Sequence, residues 1–128
     1  MNNKRSDADQ PLAIETWGWK YHHTGIPTAE IKAGERFLEK FGMYISGFET
    51  SPFGIEWMRF EPGSCIHPLI QRVPHLAFEV DDLDNELKVH DLEILTPPNS
   101  PAEGTRVAMI IHNGAPVELI EFERKIKR

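Results

Sequence analysis

The sequence predicts an α+β fold built from one unit used twice. Three observations point to it. His23-Thr24-Gly25-Ile26-Pro27-Thr28 and His75-Leu76-Ala77-Phe78-Glu79-Val80 share one pattern: histidine, any residue, a small residue, an apolar residue, any residue, a β-branched residue. Both halves then give the same order of elements, β-α-β-β, with room for one further short strand in the first. The last strands also match, since Ile55-Glu56-Trp57-Met58-Arg59-Phe60-Glu61 lays on Val117-Glu118-Leu119-Ile120-Glu121-Phe122-Glu123, placing Glu56 on Glu118. A duplication whose halves face each other puts His23 and His75 across one shared cleft.

The elements follow in order. Residues 1–16 are polar and read as a flexible lead-in, and residues 17–128 as one domain. Trp17 to Ile26 is rich in aromatic and β-branched residues and reads as a strand, which Pro27 ends because it has no N–H to give a ladder. Thr28 can cap a helix opening at Ala29-Glu30-Ile31, with Ile31, Phe37, Leu38 and Phe41 at helical spacing and Gly42 as its stop. Tyr44 to Thr50 and Ile55 to Glu61 read as a hairpin, and Pro62 to Pro74 as a connection. In the second half Leu76 to Val80 is a strand, and Asp81 or Asp82 caps a short helix marked by Leu83, Leu87 and Val89. Ile94 to Thr96 is a short strand and Pro97 to Thr105 a loop with three prolines. Arg106 to Ile111 and Pro116 to Glu123 form a hairpin across Asn113-Gly114. The first module thus spans about 17–62 and the second about 75–123.

Bulk properties narrow the classes. A chain of 128 residues with 40% hydrophobic and 27% charged content fits one globular domain with its own core. A net charge of −6 argues against a nucleic-acid partner. The basic ends, Lys4-Arg5 and Arg124-Lys125 with Lys127-Arg128, read as solvated tails. No apolar run reaches the roughly 18 residues needed to span a bilayer, and Met1 to Gln10 lacks an apolar signal core, so no membrane partner and a cytoplasmic location are expected. The single cysteine, Cys65, rules out an intrachain disulfide, shows no nucleophile motif and reads as inert.

At its repeated motifs the chain resembles the vicinal oxygen chelate superfamily, which includes glyoxalase I, methylmalonyl-CoA epimerase and extradiol dioxygenases. His23-Thr24-Gly25-Ile26 looks like the first strand of the epimerase branch. Pro74-His75-Leu76-Ala77-Phe78-Glu79-Val80-Asp81-Asp82 looks like the strand opening the second module, and Gly114-Ala115-Pro116-Val117-Glu118-Leu119 like the last strand with its metal-binding glutamate. The resemblance covers roughly residues 17–123. It implies two βαβββ modules forming a curled mixed sheet around a cleft, with a divalent metal held by residues of the first and last strands. Carried over, His23, His75 and Glu118 are the ligands. The fourth position falls on Met58 when counted back from Glu61-Pro62, and on Glu56 by the internal repeat. The two share a strand face, two residues apart, and methionine is a poor ligand for such an ion.

Two imidazoles and a carboxylate suit Zn, Ni, Co, Mn or Fe better than Mg or Ca. An ion with open positions can grip two adjacent substrate oxygens and act as a Lewis acid. Glu118, and Glu56 if it faces inward, are the candidate bases. The expectation is a metal-dependent lyase or isomerase acting on a small α-oxygenated carbonyl compound. One alternative is a metal-free small-molecule binder of the same fold, favoured by Met58 and Phe60 lining the cleft. The other is an Fe(II) extradiol-type dioxygenase, since the same ligand set is a facial triad. A homodimer is the expected assembly, and aromatics near Trp17 and Trp19 would suit its interface. His22, next to His23, points to the opposite face and reads as surface or interface, while His67, His90 and His112 read as solvated. Arg59 reads as solvated or salt-bridged. Arg106 and Glu103 flank a loop that could lie over a cavity mouth.

Overall fold

In the computed structural model, which describes residues 3–123, eight strands form one curled mixed sheet. They are β1 (Lys20–Pro27), β2 (Arg36–Leu38), β3 (Met43–Ser46), β4 (Ile55–Phe60), β5 (His75–Glu79), β6 (Ile94–Ala102), β7 (Thr105–His112) and β8 (Ala115–Phe122). Three short α-helices accompany them, α1 (Ala13–Thr16), α2 (Pro68–Arg72) and α3 (Leu83–Val89), with two single 3-10 turns at Glu39–Phe41 and Phe48–Thr50. The strand order is β2-β3-β4-β1-β5-β8-β7-β6. Read outward from the centre, β1-β4-β3-β2 mirrors β5-β8-β7-β6. In each half the first strand runs parallel to the last, and the halves join through an antiparallel β1–β5 pair. The fold class is the α+β one the sequence predicts. The basic tail at 124–128 lies outside the described residues.

The second half forms its elements for the reasons the sequence offers. Asp82 caps α3, its carboxylate accepting from Asn85 N at 3.1 Å. Asn113 and Gly114, both at positive φ (49° and 81°), make the tight β7–β8 turn that only such residues enter cheaply. Leu83 of α3 sits in a core of Trp19, Val80, Ala108, Ile110 and Leu119. Trp19 is therefore core rather than interface, while Trp17 stacks on His90 with ring centroids 3.7 Å apart. His90 also bonds Glu86 at 3.2 Å, so it is not a solvated histidine; His112 is exposed.

Three expectations fail. The helix proposed after Thr28 does not form. Residues 28–35 are irregular, Gly34 adopts φ +75°, and Arg36–Leu38 pairs with β3 as a strand. The spacing of Ile31, Phe37, Leu38 and Phe41 looked helical, yet Ile31 is 80% exposed and buries nothing. What holds this segment over β4 is polar: Glu35 takes two hydrogen bonds from Arg59 (2.8 and 2.9 Å), and Lys32 Nζ lies 4.3 Å from the Trp57 ring centre. Arg59 is thus salt-bridged, as read. Second, Pro97 to Ala102 continues β6 instead of looping. β6 is an edge strand with register shifts, where prolines cost no ladder bonds. Third, the connection from Pro62 to Pro74 contains α2, whose start is marked by Pro68 and by His67 accepting from Leu69 N at 3.1 Å. Ile70 of α2 packs on Met43 and Met58, closing the concave side of the sheet.

Candidate metal centre

The site is set by register across the four central strands. Side chains level with one another on adjacent strands share a face, as do residues two apart. Across β1 and β5, His23 pairs with Ala77 and Gly25 with His75. On the flanks, Glu56 is level with Gly25 and Glu118 with Ala77. His23, His75, Glu56 and Glu118 therefore occupy four corners of one pseudo-symmetric patch. Glu56 takes the place equivalent to Glu118, as the internal repeat predicts, and Met58 is one step further along β4, level with Pro27.

The small residue of the first repeat has a physical reason, because the His75 ring lies over Gly25. A Cβ built on Gly25 would stand 2.3 Å from His75 Cε1 and 2.8 Å from both ring nitrogens. Only glycine leaves room for that ring.

The donor atoms converge. Glu118 Oε1 is 3.1 Å from His75 Nε2 and 3.3 Å from His23 Nε2, and one ligand atom from each of the three residues lies within 4.8 Å of the others. A metal with ligands at about 2.0–2.2 Å and tetrahedral angles sets its donors roughly 3.3–3.6 Å apart, so these spacings are at or slightly under those an ion needs. His23 and His75 are buried and Glu118 nearly so. His75 Nδ1 is a buried nitrogen with no partner among the described residues. His23 Nδ1, in contrast, meets His22 Nδ1 at 2.7 Å, so one of these two rings must donate to the other. A β-bulge between Tyr21 and His23 turns His22 toward its neighbour. His22 is thus half-buried against His23 and Phe48, not a surface histidine of the opposite face.

Electrostatics follow from this packing. Burial alone would raise the Glu118 pKa, but hydrogen bonds from His23 and His75 outweigh it and hold the carboxyl at about 2. Burial disfavours charge on His23, yet its hydrogen bond to Glu118 and that carboxylate's charge raise its pKa overall. Burial pushes Glu56 up; His23 and His75 oppose this and Glu118 adds to it. The Glu56 carboxylate is outside the group of atoms within 4.8 Å, so it borders the centre without joining it.

These shifts give metal-free protein a pH signature. Glu118, depressed from 4.5 to about 2, adds stability above pH 4.5 that is lost as pH falls toward 2. His23, raised above 6.5, adds stability below 6.5 that is lost as pH rises through its elevated pKa. Relative to Glu118→Gln, chelator-treated wild-type protein is therefore expected to gain most in melting temperature between about pH 4.5 and 6.5 and less on either side. A difference still rising from pH 6 to 8 would contradict the pair.

The centre opens at one end of a cavity of about 390 Å³. Glu56, His75 and Glu118 reach it, and Met58 forms part of its apolar wall at 2% exposure. Phe60 does not line the cavity; it packs behind Met58 and pairs with Met43. His67, read as solvated, lines the cavity, and Cys65 lies beside it. The signal for His67 was the His-Pro pair that opens α2. Arg106 is elsewhere, bonded to Asp84 of α3 at 3.0 and 3.1 Å, and Glu103 is exposed in the β6–β7 turn, so neither guards the mouth. No helix of the described residues is long and apolar enough to cross a membrane.

The chain matches no protein-family model and no curated protein sequence. Among solved structures it is similar to a hypothetical protein from Bacillus halodurans, with 23% identity over 86% of this chain and 99% of that one, at a TM-score of 0.63. It is also similar to methylmalonyl-CoA epimerase from Mycobacterium tuberculosis, with 22% identity over 82% of this chain and 89% of that one, at a TM-score of 0.56. At these identities the likeness shows a shared fold, the curled mixed sheet described above.

Proposed function

We propose that this chain is a metal-dependent lyase or isomerase that removes a proton beside the carbonyl of a small α-oxygenated compound. The convergence of His23, His75 and Glu118 on one point, with His75 and Glu118 lining a cavity, carries this reading. These three residues would hold the ion, and the mixed nitrogen–oxygen donor set favours Zn, Ni, Co, Mn or Fe. Such an ion supplies Lewis acidity to two adjacent oxygens, offsetting the negative charge that builds on them as the C–H bond breaks.

The rest is work for the chain's own side chains. Glu56 is the group to take the proton. It faces the cavity from the strand next to Gly25, and its raised pKa brings a carboxylate nearer to the range where it can both accept and return a proton. Glu118 is engaged by both imidazoles and held ionised, which suits a ligand better than a base. The apolar wall around Met58 lowers the local polarity, which strengthens charge interactions beside it.

Glu56→Gln separates the roles. The variant is expected to keep about one equivalent of metal while exchange of the substrate's α-hydrogen with D₂O falls by on the order of 10²–10⁴-fold, the usual worth of a general base. Exchange at the wild-type rate, followed by NMR on a small α-hydroxy ketone, would remove Glu56 from the mechanism.

One observation favours a second reading, a binding protein that needs no metal. Glu118 already satisfies both imidazole Nε2 atoms, so the cluster is internally paired without an ion. In that case ligand affinity survives a chelator and His23→Ala, and both measurements distinguish it from the enzyme.

A further inference from the structure

The lining of the cavity restricts what can fill it. Its apolar wall includes Phe41, Met43, Met58, Ile70, Val107 and Met109, drawn from both halves of the sheet, from α2 and from the 3-10 turn before β3. Among the described residues that line it there is no lysine or arginine. Its carboxylates are Glu56 and Glu118, in a chain of net charge −6. Its other polar side chains are Cys65, His67, His75, Thr96 and Asn99. Thr96 Oγ1 already accepts from Met109 N at 3.3 Å, and His67 Nδ1 from Leu69 N, which leaves the His67 Nε2–H to donate. Lys40 is exposed beside the cavity, where its ammonium donates to Ser100 O.

An anionic group carried into this space would give up its water and find no cationic side chain on the wall. An unpaired buried charge is costly enough that such ligands are normally rejected or neutralised. Size is the second limit: a cavity of about 390 Å³ lies near the small end of the ~300–1,000 Å³ usual for small-molecule sites.

We infer that the cleft takes a compact, uncharged molecule, with two adjacent oxygens at the Glu56–His75–Glu118 end and an apolar body along the methionine-rich wall. The placing of the oxygens rests on the metal reading above; the exclusion of charge rests on the wall alone. Ligands recognised through phosphates or several carboxylates are excluded from the cavity.

The test compares 2-hydroxy-1-phenylethanone with its ring para-sulfonate, 4-(2-hydroxyacetyl)benzenesulfonate, because a sulfonate is charged yet a weak metal ligand. Binding of each is measured by titration calorimetry to Zn-loaded and to chelator-treated protein at one salt concentration. The neutral probe is expected to bind at least about 10-fold more tightly than the sulfonate in both forms, and more tightly to the loaded protein. Equal or tighter binding of the sulfonate in either form, or no binding of the neutral probe to either, overturns the inference. A neutral preference that is indifferent to zinc upholds it and counts against the metal reading. Zinc strengthening both probes alike, with no preference between them, does the reverse.

Discussion

Glu118→Ala is expected to lose metal binding outright, with affinity falling by well over 100-fold, because it removes a ligand and also the group that orients the other two. Losses of 10–100-fold are typical when only a supporting partner of a ligand is removed, and Glu118 is more than that. Its Oε1 atom engages both imidazoles, at 3.1 and 3.3 Å. Without it, two buried rings whose centres are 5.5 Å apart face each other with no shared acceptor. The metal-free variant should therefore also be less stable, by about 1–3 kcal/mol for the polar groups left unpaired. Glu118→Gln keeps the shape and removes the charge, so the His23 pKa should fall below its ordinary value, because burial, the largest influence on it, is then mostly unopposed. Competition with a chromophoric chelator reads the first effect and denaturant unfolding the second. Metal affinity retained in Glu118→Ala would mean that the three residues do not form a ligand set.

The second large effect comes from a residue with no donor atom. Gly25→Ala would place a methyl group 2.3 Å from His75 Cε1, well inside contact distance. His75 is 4% exposed and packed from the other side, so its ring cannot yield without leaving Glu118. Overpacking of this kind costs about 1–3 kcal/mol, and metal affinity should fall by about 10-fold or more as Nε2 is displaced. Ala77, in the equivalent place beneath His23, already carries a Cβ in full burial. Ala77→Gly, which only removes that carbon, should therefore leave metal affinity nearly unchanged. Wild-type affinity in Gly25→Ala would show that the His75 ring does not sit where the centre requires it.

Much of this centre was legible because its residues repeat. The two His-x-small motifs fixed β1 and β5, and the match of the last strands put Glu56 level with Gly25 opposite Glu118. Strand registers propagate simply, since side chains alternate with period two. The first helix was misread because four apolar residues at helical spacing did not include the information that Gly34 turns the chain left-handed, or that Glu35 finds Arg59 across the sheet. β6 was misread because its prolines suggested a loop, and nothing local reveals that a strand lies at an edge. Phe60 was placed in the cleft by its shared face with Met58. The cavity ends before it because Met43, its cross-strand partner, fills the space. His22 was assigned to the opposite face because the bulge that cancels the alternation and turns it toward His23 leaves no local mark in the sequence.

The most direct test of the centre is the metal content of the protein purified without chelator and then reloaded separately with Zn, Ni, Co, Mn and Fe(II), the last under anaerobic conditions. About one equivalent per chain of at least one of these ions, absent from Glu118→Ala handled identically, is the predicted result. No ion retained above the level of Glu118→Ala under any loading would contradict the metal centre and leave His23, His75 and Glu118 as an internally paired cluster at the end of a binding cavity.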